Sequence, residues 1–257
     1  THKFEYNNIQ SLEKIFQEQE LACVIMEPMN IEYPKDGFLK GVKELAHKNN
    51  ALFILDETIT GFRYSMGGAQ ELFGVTPDLA TFGKGMANGY PLSAVVGSNE
   101  VMQKVEDIFF SGTFGGETLS LAAANAVIDK YENHNVVVYL DKLGQYLLAK
   151  LNKLIENKDL QGVFYTSGYP AWSFLHIKEQ EQYTTFEIKT FFLQEMFKRG
   201  ILTLGSHNIS FSHTVADVDR LLEVYRKVLP MIKRHIDSKN LKENIHGDIL
   251  QDLFKVR

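Results

Sequence analysis

Residues 51–97 read ALFILDETITGFRYSMGGAQELFGVTPDLATFGKGMANGYPLSAVVG and contain two apolar runs that each lead to a charged residue. The first run, ALFIL, ends at Asp56, and the second, DLATFG, ends at Lys84, which has glycine on either side. In an open α/β sheet, ligands bind just beyond the carboxyl ends of the strands. We therefore expect Asp56 and Lys84 to face the same crevice.

This pair of charges has a specific chemical use. A lysine amine forms a Schiff base with an aldehyde, and a carboxylate keeps a pyridine nitrogen protonated so that the ring acts as an electron sink. The pair predicts a pyridoxal phosphate site, where a desolvated lysine would be nucleophilic and able to carry protons. Read singly, Lys84 more often means an exposed turn lysine, and Asp56 fits a cap of the next turn equally well.

The hydrophobic pattern divides the chain into two domains. Up to residue 135, helices alternate with short apolar runs such as LACVIM and ALFIL, which predicts an α/β domain with a mostly parallel sheet. Within it, SAVVG is expected to be antiparallel to its neighbour, and SNEVMQKVED to be one helix capped by Ser98. From 136 to 257, a long helix over Val136 to Asn157 precedes shorter elements of a small α+β domain with a polar tail after Ser238. The β-like segments there are GVFYTSG, AWSFLHI, ILTL and NISFS.

Composition narrows the choice of partners. The chain has 257 residues and a net charge of −5, which gives no reason to expect nucleic acid or an anionic membrane as a partner. No apolar run is long enough to span a bilayer. The single cysteine, Cys23, lies in LACVIM, where we expect a buried thiol, and it fits a reducing compartment such as the cytoplasm.

Further candidate residues lie outside the central stretch. Thr113 in SGTFGG precedes a helical segment, and such a loop offers a hydroxyl and backbone amides to a phosphate. Glu27 follows a strand and could reach the crevice, Arg63 could pair with a substrate carboxylate although a surface arginine is the commoner case, and Tyr90 could line the pocket. Three histidines show no metal-ligand spacing and fit structural or exposed positions: His176, His207 and His213.

Three segments together resemble the class III pyridoxal phosphate aminotransferases of fold type I: ILDETITGFR, GVTPDLATFGKGMANGYPLSAVVG and SGTFGGETLSLAAA. The resemblance implies that Asp56 contacts the pyridine nitrogen, that Lys84 carries the Schiff base, and that Thr113 reaches the cofactor phosphate of a neighbouring subunit. It therefore implies a homodimer with shared active sites. The reaction so implied moves an amino group between a small-molecule amino donor and a carbonyl acceptor. From its position after a strand, and not from the resemblance, we also expect Glu27 among the cofactor-binding residues.

Within that family, GFRYSMGGAQELFGVTPDL and FSHT resemble the glutamate-1-semialdehyde aminomutase branch, whereas MANGYP lacks the run of glycines common there. An intramolecular aminomutase therefore stays open as an alternative to a transaminase. Nothing here resembles the family's N-terminal segment with its glycine-rich phosphate loop. We therefore expect the C-terminal portion of a longer protein, which alone binds cofactor poorly and exposes a sheet edge. A truncated, non-catalytic homologue is the third alternative.

Overall fold

The computed structural model describes residues 1–251, which form two compact units. The first unit is Thr1–Val138, and the second begins at Tyr139. The end of the predicted polar tail, residues 252–257, lies outside the described residues.

A four-stranded sheet is the framework of the first unit, in the order β1-β2-β3-β4. Strands β1, β2 and β3 are parallel, and β4 pairs with β3 in the antiparallel sense, as the sequence predicted. The strands are β1 (Cys23–Met26), β2 (Leu52–Asp56), β3 (Leu79–Phe82) and β4 (Ala94–Gly97).

Five α-helices accompany the sheet in this unit. They are α1 (Ile9–Glu18), α2 (Phe38–Lys48), α3 (Ala69–Phe73), α4 (Asn99–Met102) and α5 (Thr118–Asn133). The side chain of Asn8 caps α1 by accepting from the Ser11 amide. The buried faces of α1 and α2 pack with β1 and β2 into one apolar core: Leu12, Val24, Phe38, Leu39, Val42, Ala46, Ala51, Phe53 and Leu55.

The predicted single helix over SNEVMQKVED is wrong. Helix α4 stops at Met102, and a 3₁₀ segment, Gln103–Asp107, continues the chain. Ser98 stands at the N-cap position, but its side chain makes no cap hydrogen bond there. The segment buries no side chain in either part, so no packing favours a longer α-helix.

Strand β1 corrects the expectation of a buried thiol. Cys23 is exposed, and Ile25 on the same face is 56% exposed, whereas Val24 between them is buried. Cys23 and Ile25 point to the face of β1 opposite the apolar core, whereas Val24 points into that core.

The second unit combines three long helices with a small antiparallel sheet in the order β5-β6-β7. Helix α6 spans the predicted residues. The elements are α6 (Val136–Asn157), β5 (Phe164–Tyr169), β6 (Trp172–Ile177), α7 (Thr185–Phe197), β7 (Ser206–Asn208), α8 (Val215–Asp237) and a 3₁₀ turn, Lys242–Asn244.

The predicted strands ILTL and NISFS are wrong in position, because the only strand in that stretch is β7. The Ile201 amide donates to the carbonyl of Met196 and so belongs to the end of α7, where Gly200 has a φ of 76°. Leu202 is 90% exposed and has no sheet face to pack on. Among residues 1–251, no helix has both the length and the apolar character needed to cross a membrane.

Candidate active site

The ends of two neighbouring parallel strands bring Asp56 and Lys84 together. Asp56 is the last residue of β2, and Lys84 begins a 3₁₀ turn, Lys84–Met86, just after β3. The register pairs Asp56 with Thr81, three residues before Lys84. The positive charge of Lys84 helps to lower the pKa of the Asp56 carboxyl, so the two side chains interact electrostatically.

Asp56 is held as a carboxylate. The Thr58 amide and the Thr81 hydroxyl each donate to its Oδ1 atom at 2.9 Å. Partial burial raises the pKa of this group, but hydrogen bonds from Thr58 and Thr81 and the charge of Lys84 outweigh burial, and the net pKa lies below its usual value of 3.8. A permanent negative charge therefore stands at the end of β2.

Lys84 occupies a strained turn. Its φ is +39°, in the left-handed region that side-chain-bearing residues rarely adopt. Two residues further on, Met86 and Ala87 are buried against Ala124 of α5, which anchors the turn. Lys84 itself is exposed at the start of this turn, so water reaches its side chain in the described residues. Strain of this kind is typical of functional sites.

Glu27 joins the same group of charges. It follows β1, and Asn30 Nδ2 donates to its Oε2 at 3.1 Å. Burial raises the pKa of Glu27, the hydrogen bond from Asn30 lowers it, and the charges of Asp56 and Lys84 act in opposite directions, with a net pKa above the usual 4.5. Glu27 also lines an open groove of about 710 Å³ with Tyr6 and Met26. Three predicted site residues thus share one electrostatic environment.

Thr113 is separate from this cluster. It lies on an exposed loop whose turns are closed by two hydrogen bonds, from Gly115 to Gly112 and from Glu117 to Phe114. Within residues 1–251, no hydrogen bond joins Thr113 to the three clustered residues. The side chain of Glu117 caps α5 directly after the loop. The predicted phosphate role of Thr113 stays a prediction.

A buried side chain fixes the conformation of the loop that follows Asp56. Glu57 is fully buried and accepts from the amides of Ala69 at 2.9 Å and Gln70 at 2.7 Å, and also from the Thr60 hydroxyl. Gly68 must be glycine here, since its φ is +82° and a Cβ atom would stand 2.7 Å from the Glu57 carboxylate. The Glu57 side chain therefore closes residues 57–70 into a fixed loop beside Asp56.

The weaker candidates have different surroundings. Arg63 is half-buried rather than on the surface, and burial lowers its pKa. Tyr90 is 53% exposed. Sequence reasoning did not single out Thr81 or Asn30, which contact Asp56 and Glu27. The strand register could have identified Thr81, because Thr81 pairs with Asp56 and both strands were predicted.

This arrangement is suited to a cationic ring with an electrophilic carbon. An ionised carboxylate stabilises a protonated ring nitrogen by a charge-assisted hydrogen bond. An exposed lysine amine at the neighbouring strand end is accessible to a carbonyl group and can carry protons. The chemistry of these residues is therefore compatible with a pyridoxal phosphate cofactor.

Comparisons with known proteins agree with this chemistry. The profile of the family described as aminotransferase class-III matches residues 2–216. The 3-aminobutyryl-CoA aminotransferase of Cloacimonas acidaminovorans (strain Evry) is 33% identical over 91% of this chain and 58% of its own length. The glutamate-1-semialdehyde 2,1-aminomutase of Caldicellulosiruptor saccharolyticus is 32% identical over 90% of this chain and 58% of its own length. The chain thus spans somewhat more than half the length of these relatives.

Solved structures share the fold. The FumI protein of Sphingopyxis sp. MTA144, in its PLP internal aldimine form, has a TM-score of 0.83 and 26% identity, covering 92% of this chain and 58% of that one. An (S)-enantioselective omega-transaminase from Thermomicrobium roseum has a TM-score of 0.77 and 26% identity, covering 87% of this chain and 55% of that one. The α/β architecture is therefore that of part of a transaminase of fold type I, as the sequence predicted.

Proposed function

The chain belongs to the class-III aminotransferase family, and from that membership we propose that it forms part of a pyridoxal phosphate-dependent transaminase. The observation that carries the proposal is the electrostatic pair of Asp56 and Lys84 at the ends of neighbouring parallel strands. The substrates are a small-molecule amino donor and a carbonyl acceptor. When bound, pyridoxal phosphate supplies the electron sink for breaking bonds at the amino-bearing carbon.

We assign a separate role to each of three residues of the chain. Asp56 stabilises a positive charge on the ring nitrogen, and its lowered pKa supports an ionised carboxylate throughout the neutral range. Lys84 holds the cofactor covalently and then moves a proton at its Nζ atom. The charges of Asp56 and Lys84 both act on the pKa of Glu27, which supports a place for Glu27 beside the cofactor.

A homodimer with shared sites is part of the proposal. The loop that carries Thr113 exposes large apolar side chains, with Phe109 95% and Phe110 76% exposed. Contiguous exposed apolar residues favour a protein interface, and a two-fold dimer is the commonest closed assembly. Thr113 then contributes its hydroxyl to the phosphate of the partner's cofactor. A cytoplasmic location completes the proposal, supported by the single free thiol of Cys23.

An aminomutase is the second candidate. Several relatives, among them that of Archaeoglobus fulgidus at 32% identity, are named glutamate-1-semialdehyde 2,1-aminomutase. The same residues serve this reaction, with the amino group returned to the substrate that supplied it. Conversion of glutamate 1-semialdehyde without an added amino donor distinguishes the aminomutase from the transaminase.

Borohydride reduction of the full-length protein tests the cofactor and the role of Lys84. Reduction fixes a covalently attached cofactor to its lysine, and peptide mass spectrometry locates the adduct. We expect a pyridoxyl group on Lys84 in the wild type and none at that peptide in Lys84→Ala. The variant Lys40→Ala removes an exposed helix lysine instead and should leave the adduct intact.

The outcomes separate the alternatives. An adduct on Lys84 together with exchange of amino groups between donor and acceptor supports the transaminase. A folded full-length protein without any adduct contradicts the proposal and favours the non-catalytic homologue.

A further inference from the structure

Two hydrogen bonds converge on one oxygen of the Asp56 carboxylate. The Thr58 amide and the Thr81 hydroxyl donate to Oδ1 at 2.9 Å each. Rotation of the carboxylate about its Cβ–Cγ bond would weaken both bonds at once. The Thr58 side chain also hydrogen-bonds this carboxylate, so Thr58 and Thr81 together fix its orientation.

Both donors are themselves fixed by the fold. Thr81 lies in β3 directly opposite Asp56, and its carbonyl accepts from the Glu57 amide at 2.9 Å. Thr58 lies in the loop that the buried Glu57 carboxylate closes onto Ala69 and Gln70. The position of Oδ1 is thus set by a strand pair on one side and a locked loop on the other.

We infer that Thr81 is a positioning residue, whose hydroxyl works with Thr58 to hold the Asp56 carboxylate towards the cationic ring nitrogen of the cofactor. The inference rests on the proposed function and deepens it, since it adds a residue that acts on the ring only through Asp56. A hydroxyl is required for this role, because a side chain of the same shape without a donor leaves Oδ1 with one bond fewer.

The groups around Asp56 determine how the loss of the Thr81 hydroxyl changes the pKa of its carboxyl. Partial burial raises the pKa of the carboxyl, while Thr58, Thr81 and Lys84 lower it. Glu27 is the other carboxylate that interacts with this group. Because Lys84 and Glu27 stay in place in a Thr81 variant, any change in the titration of Asp56 reports the hydroxyl itself.

Three variants of the full-length protein test the inference. Thr81→Val removes the hydroxyl and keeps the side-chain shape, and Thr81→Ser keeps the hydroxyl. Thr60→Val is the matched control, because the Thr60 hydroxyl is fully buried in the loop that carries Thr58 but donates to Glu57 and not to Asp56. The Asp56 carboxyl is titrated by NMR in the cofactor-free protein, and the dissociation constant for pyridoxal phosphate is measured by fluorescence.

We expect Thr81→Val to raise the pKa of Asp56 by about one unit and to weaken cofactor binding about tenfold. Thr81→Ser should restore both values, and Thr60→Val should lower stability without moving the Asp56 titration. An unchanged Asp56 titration in Thr81→Val overturns the inference, as does a shifted titration with unchanged cofactor affinity. If the wild type binds no pyridoxal phosphate, the proposed function fails and the inference fails with it. That case is recognised from the wild type alone.

Discussion

His207 shows how a single residue can make folding depend on pH. It is only 4% exposed, with Ser173 Oγ 3.0 Å from Nδ1 and Tyr225 Oη 2.8 Å from Nε2. Burial lowers the pKa of His207 from 6.5 to about 4. The structural role expected for this histidine is thereby confirmed, and the folded state keeps its ring neutral.

The sign of the effect on stability follows from proton linkage. The unfolded state binds a proton near pH 6.5 and the folded state only near pH 4, so stability is complete above pH 6.5 and falls as the pH drops towards 4. The loss due to His207 amounts to at most about 3 kcal/mol. Urea unfolding at pH 7 and pH 4.5 measures the loss. The variant His207→Gln, which cannot titrate, should show a smaller loss, and equal losses in both proteins would contradict the assignment.

At the scale of elements, the packing of α6 on the β5–β6 hairpin depends on one glycine. A Cβ atom at Gly144 would stand 1.9 Å from the carbonyl oxygen of Pro170 and 2.2 Å from its carbonyl carbon. Pro170 lies in the turn between β5 and β6. The clash is with backbone, so it can be relieved only by moving the helix or the hairpin.

Gly144→Ala therefore tests two opposing effects. Alanine in a helix interior is favoured over glycine by about 1 kcal/mol, but the clash costs more, and we expect a net loss of about 3 kcal/mol or more in unfolding free energy. Gly162→Ala is the matched control, because nothing lies within 4 Å of its Cβ position. Thermal unfolding measures both variants. A Gly144→Ala protein as stable as Gly162→Ala would show that the helix and hairpin are not in close contact.

Elements with a strong apolar period were predictable from the sequence. Helix α6 spans Val136–Asn157 as expected, and the β5–β6 hairpin and the parallel β1–β3 strands also follow the pattern. The strand predicted over ILTL was wrong because an apolar run alone does not show whether a partner strand exists. Leu202 is accordingly exposed. The prediction of a buried Cys23 was wrong because the residues of a strand do not show which of its two faces other elements cover.

In the candidate site, too, some features were predictable from the sequence and others were not. The roles proposed for Asp56 and Lys84 start from their positions at strand ends, which the local sequence indicates. The contact of Thr81 with Asp56 depends on strand register, and the exposure of Lys84 depends on how its turn packs through Met86. Neither can be read from a run of residues, because each involves segments about 25 residues apart or more.

At the scale of the whole molecule, the first unit leaves apolar surface exposed on the loop that carries Thr113. Phe109 and Phe110 belong to this surface together with Phe114, which is 55% exposed. Exposed apolar clusters of this kind are unusual in monomers and favour burial against another chain. The proposed homodimer places this loop against the partner, where Thr113 completes the partner's site.

Mixing two inactive variants tests that shared site directly. A Lys84→Ala subunit keeps its Thr113, and a Thr113→Ala subunit keeps its Lys84, so a mixed dimer with shared sites contains one complete site. Random mixing makes about half of the dimers mixed, and the expected activity is about one quarter of that of the wild type. Turnover measured after co-refolding, with each variant alone as the control, gives the value. If Thr113 instead serves the site of its own subunit, every site in the mixture lacks one residue, and the activity does not exceed the average of the two variants.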